Sequence, residues 1–399
     1  MPIKNETELA RGTPQFRRAS LALFLAGFAT FATLYTVQPL LPIFADEFHI
    51  TPAQSSLSLS FSTAALAGAI VLAAVAAEGF GRARVMFISM MLSALMTLAA
   101  AIAPDWSTLL GLRAITGFLL GGVPAVAMTW LAEEIEPRSM AHTMGLYVAG
   151  TAFGGMAGRV GTGILAEHIG WRWAMATTGL ICLIAAIGFV FLLPASRRFI
   201  RATTFNVGQN LRAFAQHLRS PGLRQVYLIA FTGMGSFITI FNYVSFRLVE
   251  APYELRQDEI GLIFLVYIFG IASSSFAGPL MERFGRKRML PLALSLIMSG
   301  IVLTLFAPLP MIILGIVVIA FGFFLSHSIA SSTIGLFARE AKGHASSLYH
   351  LTYYMGSSLA GWMGGWFYAS GEWPAVAAFT LILLSGALWA AFGINRRLH

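Results

Sequence analysis

Apolar stretches recur along the whole chain, and polar residues gather in the short breaks between them. Windows with the roughly 20 apolar residues that a membrane-crossing helix needs fall at 19–44, 55–77, 85–103, 107–131, 141–166 and 171–193. Six more follow at 225–249, 260–281, 289–307, 310–337, 345–368 and 374–394. The pattern predicts an all-α membrane protein of twelve transmembrane helices, with its function seated among the spans.

Composition points the same way. Of 399 residues, 57% are apolar and 11% charged, against roughly 45–50% and about 25% in soluble domains. Cys182 is the only cysteine, so neither an intramolecular disulfide nor a cysteine-built metal site is available, and no cofactor or metal is expected. A net charge of +9 would suit nucleic acid, but the basic residues are spread by membrane side and form no single patch. No nucleic-acid partner is expected. With the N-terminus inside, 21 of the 26 Lys and Arg fall in cytoplasmic tails and loops, the side where such residues accumulate. Both termini are therefore predicted to be cytoplasmic.

The longest inward connection, 194–224, contains Arg197, Arg198, Arg201, Arg212, Arg219 and Arg224 and no acidic residue. It separates 1–193, a six-helix bundle with a cytoplasmic tail, from 225–399, a second six-helix bundle. Within it, "GQNLRAFAQHLRS" fits a surface amphipathic helix or a solvated basic linker.

The two halves repeat each other. "AVAAEGFGRAR" from Ala74 to Arg84 returns 204 residues later as "GPLMERFGRKR" from Gly278 to Arg288. At that offset Gln38 falls on Asn242, Glu78 on Glu282 and Gly81 on Gly285; at an offset of 202, Tyr147 falls on Tyr349, Gly154 on Gly356 and Trp171 on Trp373. Six spans per repeat make both copies face the same way about a pseudo-twofold axis along the membrane normal, as in transporters that bind substrate near mid-membrane. In each hairpin glycine permits a tight turn, while Glu78 or Glu282 can pair with the basic neighbours or face a helix N-terminus.

"GPLMERFGRKR" resembles the Gly-x-Leu-x-Asp-Arg-x-Gly-Arg-Lys loop of the major facilitator superfamily, with Glu282 at the Asp position; the first copy has Ala74, Ala76 and Gly79 in place of Gly, Leu and Arg. The text around "LYTVQPLLP", "GLYVAG" and "YYMGSSLAG" is similar to the YnfM-type, or acriflavine-sensitivity, branch of bacterial inner-membrane efflux proteins. The resemblance implies a cytoplasmic latch built from Glu78, Gly81 and Arg82 and from Gly278, Glu282, Arg283, Gly285 and Arg286. It also implies a cavity lined by the first, fourth, seventh and tenth helices. That points to Tyr35, Gln38, Asn242, Tyr243 and Ser331 for substrate, and to Arg113 and His327 for proton coupling.

Arg113 and Arg159 lie within spans, where a charge costs about 2.5–3.5 kcal/mol and faces a cavity or a partner. The resemblance links Arg113, in Arg-x-x-x-Gly with Gly117, to proton transfer; capping of backbone carbonyls is the other reading. None of the 17 acidic residues falls at mid-span, so His327 in "FFLSHSIASS" and His350 become the candidate proton carriers, imidazole being titratable near neutral pH. Either histidine also fits a hydrogen-bonded position between helices. Gly150, Gly154 and Gly158 let a neighbouring helix approach closely, in a stretch that resembles the superfamily's antiporter motif with Gly155 for Pro and Arg159 for the last Gly. A dinucleotide loop is excluded there, since no strand precedes the glycines. Pro39 and Pro42 remove two backbone donors from the first span and predict a kink, with simple helix termination before "ADEF" the other account of Pro42.

The expected function is secondary transport of small amphipathic organic compounds by alternating access, in proton-coupled efflux from a bacterial inner membrane. The expected partners are the small-molecule substrate, protons and the lipid bilayer, and the expected state is a monomer. The alternative is a facilitator or symporter of neutral or anionic solutes, such as sugars or aromatic acids. A membrane sensor and an intramembrane hydrolase around Ser326, His327 and Ser328 are remote, because adjacent residues on one helix point in different directions.

Overall fold

A backbone in hydrocarbon must satisfy its own N–H and C=O groups, and a helix does so within one segment. The computed structural model describes residue 9 and residues 13–196, 207–338, 340 and 342–397. Its secondary structure is helical, and the one β pairing among the described residues is the isolated bridge between Leu9 and Ile135.

Helix α1 (Pro14–Tyr35) is started by Thr13, whose hydroxyl accepts from the Phe16 amide at 3.2 Å, and by a proline in its first turn. It stops short of a 3₁₀ turn at Gln38–Leu40 and resumes as α2 (Leu41–Glu47). Pro39 has no N–H to continue the ladder, so the predicted kink is a break. Helix α3 (Pro52–Phe80) is joined to α4 (Arg82–Ala101) through Gly81 at φ 93°. Asp105 caps α5 (Trp106–Leu120), accepting from the amide and the hydroxyl of Thr108; those bonds hold its carboxyl below the usual range. The fourth span then breaks before Pro124, the first residue of α6 (Pro124–Glu134).

Helix α7 (Pro137–Leu192) has 56 residues, about 80 Å at 1.5 Å per residue, more than twice a hydrocarbon core of roughly 30 Å. It turns back at Gly170, φ 79°. After α8 (Val207–Arg219) come α9 (Pro221–Val249), α10 (Gln257–Ile263), α11 (Tyr267–Phe284), α12 (Arg286–Leu303) and α13 (Leu309–Phe337). The 56-residue α14 (Lys342–Arg397) turns back at Gly371 and Glu372. Each long helix therefore holds two predicted spans, and Trp171 and Trp373 stand just past the matching bends. Among the described residues seven stretches are long and apolar enough to cross a membrane, α7 and α14 counting once each; α3, the α5–α6 pair and α12 supply the rest of the twelve. Part of the basic linker is the helix α8, whereas 197–206, with Arg197, Arg198 and Arg201, lie outside the described residues.

Two compact units form, Met1–Val37 with Gly68–Phe205, and Gln38–Ala67 with Asn206–His399. In the first, α1 and α4 pack on α7 around Leu23, Met86, Met90, Trp130 and Phe189. In the second, α9 lies along α14 while α13 packs on α11 and α12, and Phe237 stacks on Phe323 with centroids 4.0 Å apart. Segment 38–67, which the sequence analysis assigns to the bundle 1–193, packs in the second unit. The reason is local contact: Ser358 Oγ donates to the Ser60 carbonyl at 2.8 Å, and a Cβ on Gly365 would lie 2.3 Å from Ala53 Cα.

Candidate functional site

In the first unit two buried guanidinium groups meet the last turn of α1. Arg113, 0% exposed, donates from Nη1 to the Thr33 carbonyl at 3.1 Å and from Nη2 to the Leu34 carbonyl at 2.6 Å. Carbonyls at a helix C-terminus have no intrahelical donor, and the break before Pro39 leaves these two for Arg113. Arg159 places its guanidinium 3.8 Å from the centroid of the Tyr35 ring and donates to the Gly155 carbonyl at 2.6 Å. Tyr35, Arg113 and Arg159 are thus brought together.

The glycines ahead of Arg159 make that approach possible. A Cβ at Gly150 would lie 2.3 Å from the Phe24 carbonyl oxygen, one at Gly154 2.2 Å from that of Phe28, and one at Gly158 2.7 Å from Ala32 Cα. The repeat does the same in the second unit, where a Cβ at Gly356 would lie 2.0 Å from the Phe231 carbonyl oxygen.

The two hairpins differ in their bonding. Gly81 and Gly285 both have positive φ, 93° and 77°. Arg82 forks onto both carboxylate oxygens of Glu133 at the end of α6. Its counterpart Arg286 reaches the Ser332 hydroxyl at 3.2 Å. Glu78 and Glu282, expected to pair with basic neighbours or to face a helix N-terminus, are both exposed. Arg82 opens α4, which packs on α6, so Glu133 is the carboxylate within reach. Arg283 lies 5.2 Å over the Phe284 ring, and Gly278 faces open space.

In the second unit Gln38 Nε2 donates to Asn242 Oδ1 at 2.7 Å, with both side chains fully buried. The Gln257 amide donates to the Pro39 carbonyl beside them. Tyr243 commits its hydroxyl to the Gly361 carbonyl at 2.8 Å, a bond between α9 and α14. His327 Nδ1 lies 2.8 Å from the Tyr349 hydroxyl, with the Tyr353 ring 4.9 Å away. A neutral imidazole protonated on Nε2 accepts that hydroxyl; imidazolium must donate instead, so protonation reverses the bond. Ser331 bonds within its own helix, to the Ser328 carbonyl at 3.1 Å. His350 is exposed and its Nδ1 meets the Ser346 carbonyl at 2.8 Å.

Three partners escaped the sequence reading: Glu133 for Arg82, Tyr349 for His327, and Gln257 for the first-span turn. Tyr349 carried one signal, its repeat match to Tyr147, but that says nothing of which side chain it meets.

The sequence profile of the Major Facilitator Superfamily matches residues 23–254 and again 252–397. The chain is 43% identical to the inner membrane transport protein YnfM of Escherichia coli, over 98% of this chain and 94% of that one. It is 42% identical to the MFS-type transporter YybF of Bacillus subtilis, over 96% and 95%. A bacterial homolog of the human lysosomal transporter Spinster, solved in an inward-facing and occupied conformation, superposes with a TM-score of 0.78 at 17% identity, covering 96% of this chain and 98% of that one.

Proposed function

The chain belongs to the major facilitator superfamily, and on that premise we propose a secondary active transporter that exports small amphipathic organic compounds in exchange for protons by alternating access. The observation that carries the coupling is the His327–Tyr349 bond at 2.8 Å, a titratable contact at mid-span in a chain with no acidic residue at that depth. Protonation reverses the direction of this bond, and reversal biases the packing of α13 against α14. Arg113 and Arg159 fix the end of α1 where the first span breaks. Gln38–Asn242 closes the outer side, and Arg82–Glu133 fastens the inner hairpin. The protein sits in a bacterial inner membrane as a monomer with both termini cytoplasmic, a reading that rests on the distribution of Lys and Arg and on the likeness to YnfM.

A second reading concerns substrate charge. Two buried guanidinium groups beside α1, with no mid-span carboxylate in the sequence, favour neutral or anionic solutes over cations, and a symporter or facilitator would use them equally well.

The deciding experiment records internal pH with a trapped dye in proteoliposomes that hold a proton gradient, while cationic, anionic and neutral compounds are added in turn. Substrate-dependent proton flux that disappears in His327→Ala supports the coupled exporter. Uptake of a compound with no proton movement replaces antiport by facilitated diffusion.

A further inference from the structure

At the inner end of the first unit a single residue ahead of α1 completes the joint between the fourth and fifth spans. Helix α6 ends at Glu134 and α7 starts at Pro137, with Ile135 and Glu136 between them at ψ 135°, outside the helical range. The Glu134 carbonyl stands at a helix C-terminus and has no intrahelical donor, while Glu136 precedes α7 without a side-chain cap bond. Leu9 meets both needs. Its N–H donates to the Glu134 carbonyl at 2.9 Å, and its carbonyl accepts from the Glu136 N–H at 3.3 Å. Its side chain is buried in the apolar cluster that holds Met86, Trp130, Leu131 and Ile135. Glu134 and Ile135 are buried too, and a buried backbone group without a partner costs about as much as a lost hydrogen bond. The joint therefore depends on Leu9.

Two other connections reach the same turn of α6. Glu133, next to the clasped carbonyl, receives the Arg82 fork from the start of α4, and Trp130 Nε1 donates to the Ser196 hydroxyl at the start of the linker, at 3.0 Å. In the second unit, too, the segment ahead of the first helix meets this joint: Phe214 of α8 lies edge-on to the ring of His344 in the first turn of α14, with centroids 4.9 Å apart.

We propose that Leu9 is a clasp and a positioning residue: by bridging the joint between α6 and α7 it holds Glu133 in place for Arg82, so its docking and release set how firmly the inner hairpin is fastened. The inference rests on the reading of Arg82–Glu133 as that fastening and involves no substrate.

Hydrogen–deuterium exchange of the full-length protein in detergent, resolved by peptide mass spectrometry, provides the test. Leu9→Pro removes the N–H and keeps an apolar side chain, whereas Leu9→Asn keeps the N–H and loses the apolar burial. Each should speed exchange at 133–140 and in the first turn of α4 by about fivefold or more, the effect of leaving a buried backbone group unpaired, while peptides of the second unit exchange as in the wild type. Leu9→Met should match the wild type. Arg82→Gln cuts the fork directly and should speed exchange at the start of α4, and in that background Leu9→Pro should add nothing there. If Leu9→Pro and Leu9→Asn fail to fold, Leu9→Ala should show the same pattern at smaller size. Unchanged exchange at the start of α4 in the Leu9 variants, a rise shared by both units, or a change in Leu9→Met as large as in Leu9→Asn overturns the proposal. Arg82→Gln without effect on α4 marks failure of the underlying reading of the fork, and the inference falls with it.

Discussion

Gln38 and Asn242 stand 204 residues apart, occupy equivalent positions of the two repeats, and hydrogen-bond to each other at 2.7 Å. The same neighbourhood holds the Gln257–Pro39 bond and the Ser358–Ser60 bond. Together they explain why residues 38–67 belong to the second unit.

If this contact closes the outer side, Gln38→Ala should favour the open form. Hydrogen bonds between membrane helices average about 0.6 kcal/mol and reach about 1.7, which corresponds to a shift of roughly threefold to twentyfold. A cysteine at position 60 (Ser60→Cys) in a Cys182→Ala background reports it, because Ser60 is buried and reacts with an impermeant maleimide only on opening. Labelling from outside should accelerate in Gln38→Ala; an unchanged rate removes the gate role from this pair.

Helix packing gives a second expectation. At Gly154 and Gly356 an added Cβ would fall 2.2 Å and 2.0 Å from backbone oxygens, and backbone cannot yield as a side chain can. Overpacking costs about 1–3 kcal/mol, so Gly154→Ala and Gly356→Ala should each lower the unfolding temperature in detergent. Gly161→Ala, with nothing within 4 Å, should leave it unchanged or raise it, since alanine gains roughly 0.5–1 kcal/mol over glycine in a helix. A similar loss at all three positions would show that close approach is not what the first two glycines provide.

Spans were legible in the sequence because run length is a local property, and so was the break at Pro39, where the missing N–H is local too. Gly154 was legible from the spacing of small residues. Pairings were not. Arg82 and Glu133 lie 51 residues apart, and His327 and Tyr349 lie 22 apart; which partners meet depends on how each helix is rotated about its axis. Tyr243 illustrates the limit, for its position on the seventh span suggested a cavity while its hydroxyl is used on the Gly361 carbonyl. Placement of 38–67 depended on contacts up to 298 residues distant, beyond any local signal.

The inner hairpin yields a third expectation, opposite to what the motif alone suggests. Arg82 and Glu133 keep only 14% and 30% of their side chains exposed, and removing either member breaks the fork between α4 and α6. Arg82→Gln and Glu133→Gln should each slow transport, because each breaks the fork that joins α4 to α6. Glu282→Gln removes an exposed carboxylate and should transport as the wild type does. Initial rates in proteoliposomes decide this; a larger defect in Glu282→Gln than in Glu133→Gln would return the latch to the motif carboxylate.

Arg113 separates charge from geometry. Its guanidinium reaches two successive carbonyls, of Thr33 and Leu34, a fork that a lysine ammonium does not reproduce. Arg113→Lys keeps the positive charge and loses one of the two bonds, so a capping role predicts lower thermal stability with proton coupling retained. A role in proton transfer predicts the reverse, stability near that of the wild type with altered pH dependence of transport. Tyr35 supplies the matched control: Tyr35→Phe preserves the ring 3.8 Å from the Arg159 guanidinium, whereas Tyr35→Leu forfeits a desolvated cation–π contact of about 2 kcal/mol. Phe should therefore resemble the wild type in thermal stability and Leu should not. Equal losses in both would assign the stabilisation to the phenolic hydroxyl and remove the ring from the account of how Arg159 is held in the membrane.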